Sequence, residues 1–171
     1  MKPVFWSRLD LAARSCTPFG LTVLLIFLNI MPLQVPGLTY VMPLLPLMSI
    51  YLWAVHQPEL LPIYAVFLIG LLHDALSGVP FGIYCLTYMI VSATVLWQRR
   101  FLVGKSFMVI WVGFTVVTAG ALVIGWLLIS VLHTTFIAPG AMAFQYLISL
   151  GVFPLMAFFF MRGQRAFVDH V

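Results

Sequence analysis

Charge is scarce in this chain. Only 7% of its 171 residues are Asp, Glu, Lys or Arg, where a soluble domain carries roughly 25%, so an ordinary water-soluble globule is excluded. Acids are the rarer sign, four (Asp10, Glu59, Asp74 and Asp169) against eight basic residues. Cysteine is limited to Cys16, near the basic N-terminus, and Cys85, early in a later apolar run. Their surroundings imply different depths, which argues against a disulfide and leaves each as a small buried hydrophobe. No P-loop, HExxH, GxSxG, cysteine-rich metal set or dinucleotide fingerprint occurs. These absences speak against catalysis and cofactors, and nothing suggests a nucleic-acid partner.

What is abundant is apolar length. Hydrophobic residues make up 64% of the chain, and breaks at Pro, Gly or charge divide it into six runs, about 12–31, 38–55, 60–77, 80–97, 107–132 and 142–161. In lipid only helices or closed barrels satisfy every backbone N–H and C=O, and the runs show no period-2 alternation. The expectation is an all-α integral membrane protein, a six-transmembrane-helix bundle in a single membrane domain, 1–171. The basic start and the run 19–31 superficially suit a secretory signal, but PLQVPG follows without a small-x-small cleavage site, so the segment is expected to be retained. The fifth run, about 26 residues or roughly 39 Å of helix, must tilt or project beyond a 30 Å core. Pro43 and Pro46 predict that the second run is kinked or split into two pieces.

Basic residues set the orientation. Lys2, Arg8 and Arg14 precede the first run, Arg99, Arg100 and Lys105 separate the fourth and fifth, and Arg162 and Arg165 follow the sixth. Six crossings place all of them on one side, which the positive-inside rule makes cytoplasmic, with both termini inside. The outer connections MPLQVPG, SGVP and HTTFIAPG are short and contain no Lys or Arg.

Three acids fall on the predicted cytoplasmic flanks, and Asp74 alone lies toward the outer end of a membrane segment. At mid-bilayer a carboxylate costs about 2.5–3.5 kcal/mol, and Asp74 is only about 6 Å of helix from Gly78. A local reading has Gly78 ending one helix in the left-handed conformation and Pro80 in the first turn of the next. Asp74 then accepts hydrogen bonds from the turn or from Ser77, and Gly82 permits a close helix approach. A sharper reading turns His73 and Asp74 toward a partner or cavity, with His133 as a third member. Helical neighbours point about 100° apart, so the two should not face one neighbour squarely, which disfavours a catalytic His–Asp pair. An intramembrane aspartyl protease would need a second carboxylate. His133 has no companions at metal spacing and reads as an interfacial histidine.

Gly113, Gly120 and Gly125, with Ala121 four residues before Gly125, predict close packing of the fifth helix inside the bundle. Asn29 and Gln145 are lone amides expected to hydrogen-bond across helices. Trp53, Trp97, Tyr40 and Tyr51 suit interfacial belts or packing.

The stretch 58–82, PELLPIYAVFLIGLLHDALSGVPFG, resembles the signature of the rod shape-determining protein MreD family of the bacterial inner membrane, approximately GLLxDxxxGxPLG. Gly70, Leu71, Leu72, Asp74, Gly78, Pro80 and Gly82 match, with Phe81 where leucine is usual, and the preceding YLWAVHQP is similar to the family's aromatic stretch. The resemblance implies a non-enzymatic member of the elongation machinery that supports lateral peptidoglycan synthesis and cell shape. MreC is the implied direct partner, with MreB, RodA and a class B penicillin-binding protein in the same machinery. It also implies the six-helix fold of the substrate-binding (S) subunits of energy-coupling-factor transporters. The hairpin residues Gly70, His73, Asp74, Gly78, Pro80 and Gly82 become the candidate partner-binding or structural site.

Two alternatives stay open. A vitamin-binding transporter subunit needs a polar pocket and small residues on its first helix, which at 19–31 reads FGLTVLLIFLNIM, bulky apart from Gly20. A lipid-binding protein would use a lateral groove beside a kinked second helix. No basic cluster is predicted on the outer face to hold a pyrophosphate. Arg99 and Arg100 can contact anionic membrane lipids or simply anchor the topology.

Overall fold

The computed structural model describes residues 4–30, 42–78, 80–133 and 139–168, and within these leaves the side chains of 4–16, 132, 133, 139, 141 and 163–168 undescribed. Lys2, Arg8, Asp10, Arg14, Cys16, Tyr40, Arg165 and Asp169, the side chain of His133, and most of the outer connections MPLQVPG and HTTFIAPG therefore lie outside the described parts.

Among the described residues six α-helices follow in order: α1 (Val4–Ile30), α2 (Leu45–His56), α3 (Ile63–Ser77), α4 (Ile83–Leu102), α5 (Phe107–His133) and α6 (Pro139–Val168), with one 3-10 turn (Pro58–Leu60) between α2 and α3. No strand occurs among the described residues.

The chemistry of α2 explains why it sits at the centre. Its sequence, LPLMSIYLWAVH, is apolar on every side, and every residue from Pro46 to Val55 is buried; a helix without a polar face has to be surrounded. Helices α1, α4, α5 and α6 all pack on it. Tyr51 anchors an aromatic knot there, edge-on to Phe114 (5.3 Å) and Phe153 (5.9 Å), which stack on each other at 4.1 Å. Its hydroxyl donates to the Ile110 carbonyl at 2.8 Å. Trp53 meets Phe160 edge-on at 4.7 Å. Tyr51 and Trp53 are thus packing residues, whereas Trp97 is 77% exposed.

Of the second run, expected over 38–55 to be kinked or split, residues 38–41 lie outside the described parts, and the rest shows no kink. Helix α2 is a single 12-residue element that begins after Pro43, with Pro46 in its first turn, where a missing N–H costs nothing. The non-helical strip 42–44 instead runs between α1 and α6, and irregular backbone in apolar surroundings persists only when its polar groups are paired. Asn29 donates to the Pro43 carbonyl (2.6 Å), Gln145 to the Met42 carbonyl (3.0 Å), and the Leu44 amide donates to Ser149 Oγ (3.1 Å). Both lone amides therefore bond not to another helix, as expected, but to backbone carbonyls of the non-helical strip before α2. Buried Thr22 and Ser49 add a 2.8 Å link between α1 and α2.

Proline explains one further cross-helix bond. Pro154, inside α6, has no N–H to offer the carbonyl of Leu150 one turn earlier. The indole N–H of Trp111 on α5 donates to that carbonyl at 3.3 Å. Beside it, Tyr146 Oη donates to the Thr115 carbonyl at 3.2 Å.

Expected close packing along α5 holds at only part of its length. A Cβ on Gly113 would lie 2.7 Å from Tyr51 Oη and 2.9 Å from Leu102 Cδ2, and Ala121 is buried. At Gly120, which is exposed, and at half-buried Gly125 an added Cβ meets nothing within 4 Å.

The surface is the reverse of a soluble protein's. Leu24, Phe27, Tyr64, Phe67, Val112, Val116, Leu155, Phe158 and Phe159 are exposed, while Thr22, Ser49, His73, Asp74, Thr87, Ser92, Thr118 and Ser149 are buried. Such an apolar sheath is stable against lipid and not against water. By length and composition, segments Phe107–Val131 and Met142–Arg162 suffice to cross a membrane, and shorter apolar helices occupy Thr17–Ile30, Leu45–His56 and Ile63–Ser77.

Candidate functional site: the hairpin between α3 and α4

The first turn of any helix leaves N–H groups without intrahelical partners, and in α4 the N-cap residue, Gly82, has no side chain with which to meet them. Asp74 meets them from the neighbouring helix. Its Oδ2 accepts from the amides of Gly82 (2.9 Å) and Cys85 (3.2 Å), and its Oδ1 accepts from that of Tyr84 (2.9 Å). The side chain is 1% exposed. A carboxylate so buried is tolerable because three backbone donors and the positive end of the α4 dipole converge on it. Of the two donors expected from sequence, the turn and Ser77, the turn and the first residues of α4 supply these bonds.

Two glycines shape the turn. Gly78 closes α3 with φ +66°, and Gly82 takes φ +108°, both in the left-handed region that side chains disfavour. Gly82 was expected to admit a neighbouring helix. Instead an added Cβ there meets nothing within 4 Å, so the residue is needed for its backbone conformation. The close approach occurs at Gly70, one turn before Asp74 on the same face of α3, where a Cβ would overlap the Cα of Cys85. Pro80 also moves from its expected position, since α4 starts only at Ile83 and Pro80 belongs to the turn before the N-cap.

His73 is buried beside Asp74. Its ring stacks on Tyr84 with centroids 4.0 Å apart and an 11° interplanar angle, and Nδ1 shares a 2.6 Å hydrogen bond with Tyr88 Oη. His73 and Asp74 both meet α4, though, as their separation of about 100° leads one to expect, not at the same point. Asp74 reaches the backbone at the helix end, while His73, about 100° round α3, reaches side chains farther along. Tyr84 and Tyr88 are the participants that sequence reasoning missed; their i, i+4 spacing just beyond the hairpin, opposite a histidine, was the available signal.

The arrangement is chemically self-contained. Both carboxylate oxygens of Asp74 are taken up by backbone donors, and the described residues hold no group of three or more His, Cys, Asp or Glu placed to bind a metal ion. The geometry locks α3 to α4 at Gly70, at the stacked His73–Tyr84 pair and at the Asp74 cap.

A family model described as rod shape-determining protein MreD matches residues 13–163. The chain belongs to the MreD family. The match runs from α1 into α6 and takes in the whole hairpin. No curated protein and no solved structure gives a significant match. Membership makes this a membrane protein with a role in rod shape determination, in agreement with the apolar sheath.

Proposed function

We propose that this MreD protein is a non-enzymatic scaffold of the bacterial elongation complex, seated in the inner membrane with six crossings and both termini cytoplasmic, and that it binds MreC in support of lateral peptidoglycan synthesis. MreB, RodA and a class B penicillin-binding protein belong to the same assembly. The observation that carries this reading is the fate of Asp74: the most polar group buried in the bundle is consumed by three backbone donors of α4, the behaviour of a structural clamp. With Asp74 engaged in this way, the outer surface is what the protein offers to others.

For the single membrane helix of MreC we favour the outer side of α5. Val112, Val116, Gly120 and Val123 lie exposed there at three- and four-residue spacing, and Gly120 leaves room for a close helix. In outline the six helices are proposed to follow the arrangement of energy-coupling-factor S subunits, with the function moved from a ligand pocket to this surface.

Co-purification tests the reading. Asp74→Ala should lower MreC recovery from native membranes and round the cells, and Gly120→Leu should lower recovery while leaving the melting temperature unchanged. Undiminished recovery with both variants, or the appearance of an ATPase module in place of a periplasmic coiled-coil protein, would reject the scaffold. A rise in melting temperature on soaking with a vitamin would favour the transporter subunit.

A further inference from the structure

The end of α4 remote from the Asp74 cap carries a second polar feature, which the scaffold reading does not use. About 26 Å along the helix from Gly82, close to the thickness of a hydrocarbon core, an open surface depression of about 490 Å³ is lined by Leu96, Arg99, Arg100 and Val103. Its two cations are held in different ways. Arg99 Nε donates to the Val55 carbonyl in the last turn of α2 at 3.1 Å, which fixes the plane of its guanidinium and meets the negative end of that helix. Arg100 places its guanidinium 4.8 Å from the Phe101 ring centroid. No carboxylate pairs with either side chain among the described residues.

The other half of the lining is aliphatic, Leu96 and Val103, and the same end of α4 exposes Trp97 and Phe101, as expected of residues at the boundary between headgroups and acyl chains. A surface that sets two guanidiniums beside two aliphatic side chains matches a ligand that joins an anionic phosphate to a hydrocarbon tail. A free phosphate would use the arginines alone and leave Leu96 and Val103 without purpose.

We infer that the surface formed by Leu96, Arg99, Arg100 and Val103 binds the phosphate headgroup of an anionic phospholipid, with the acyl chain lying against Leu96 and Val103. The inference needs only membrane residence and stands independently of MreC. It is tested on the full chain purified in detergent, by native mass spectrometry and thermal unfolding with phosphatidylglycerol, phosphatidylcholine and inorganic phosphate as separate probes. Phosphatidylglycerol should be retained as one saturable adduct and raise the melting temperature, with phosphatidylcholine retained at least tenfold more weakly. Arg100→Gln should weaken the phosphatidylglycerol adduct about tenfold. Arg100→Lys, which keeps the charge but loses the fork, should weaken it about threefold and serves if the glutamine variant misfolds. Arg162→Gln, elsewhere on the basic surface, should leave it unchanged. Equal retention of both lipids, equal retention by wild type and both Arg100 variants, or equal loss with Arg162→Gln would overturn the assignment. An Arg100-dependent shift produced equally by inorganic phosphate would reassign the surface to a free anion.

Discussion

Gly70 on α3 and Cys85 on α4 are in backbone contact: a Cβ on Gly70 would overlap the Cys85 Cα and lie 3.0 Å from its amide nitrogen. That amide is one of the three that donate to Asp74. Close approach and cap are therefore two parts of one device, because the carboxylate reaches the start of α4 only if the helices come this near.

Gly70→Ala should be the most damaging single-methyl change in the hairpin. The obstacle is backbone, so the helices must separate, at an expected cost of about 2–3 kcal/mol or more. Gly151→Ala, where an added Cβ meets nothing within 4 Å, should be neutral or slightly stabilising because alanine restricts the unfolded chain. Unfolding of both variants in the same detergent measures the contrast; equal stability would show that the helices do not meet at Gly70.

Replacing the cap separates charge from geometry. Asp74→Ala leaves three amides without their acceptor and should cost about 2–4 kcal/mol, more than an ordinary exposed N-cap. Asp74→Asn keeps one acceptor oxygen but turns an NH2 group toward donors, and should recover about half of that loss. Denaturant or thermal unfolding ranks the three proteins, and an asparagine variant as stable as wild type would remove the carboxylate's charge from the account.

The His73–Tyr88 bond predicts a measurable coupling. His73→Phe keeps a ring to stack on Tyr84, and Tyr88→Phe removes only a hydroxyl, so a double-mutant cycle isolates the 2.6 Å hydrogen bond. A coupling of about 1 kcal/mol is expected. Strictly additive effects would mean that the bond contributes nothing.

Trp111→Phe should remove the donor to the Leu150 carbonyl that Pro154 leaves without an intrahelical partner. The expected loss is about 1–2 kcal/mol. Adding Pro154→Ala, which restores the intrahelical N–H, should rescue most of it. Failure of the second change to rescue would separate the proline from the tryptophan.

Topology is open to direct measurement. A cysteine at Ser77 should react with a membrane-impermeant thiol reagent from outside intact spheroplasts, and one at Lys105 only after permeabilisation. The reverse pattern would overturn the proposed orientation.

Much of this fold was legible in the residues because lipid leaves the backbone few choices. Apolar runs interrupted by Pro, Gly and charge mark helices, so α5 begins at the expected residue, while an apolar run alone does not say that α4 reaches on to Leu102 or that α6 runs from Pro139 to Val168. Gly78 was readable as a left-handed helix end, since composition at a turn is a local matter. The strip 42–44 was not legible, because a proline pair specifies where a helix cannot continue and leaves open what becomes of the backbone it frees. The answer lay on other helices, in Asn29, Gln145 and Ser149.

The sequence by itself determined that the chain is helical, that lipid suits its outside, and that Asp74 needs hydrogen-bond partners at the hairpin, because those requirements follow from hydropathy and from the cost of a charge away from water. Only the tertiary structure decided that those partners are the amides opening α4, that Gly70 rather than Gly82 admits the neighbouring helix, and that Tyr84 and Tyr88 receive His73. Spacing along one helix fixes which side chains share a face. Which atoms of another helix lie opposite depends on separation and rotation about the axes, and those emerge from packing the whole bundle at once.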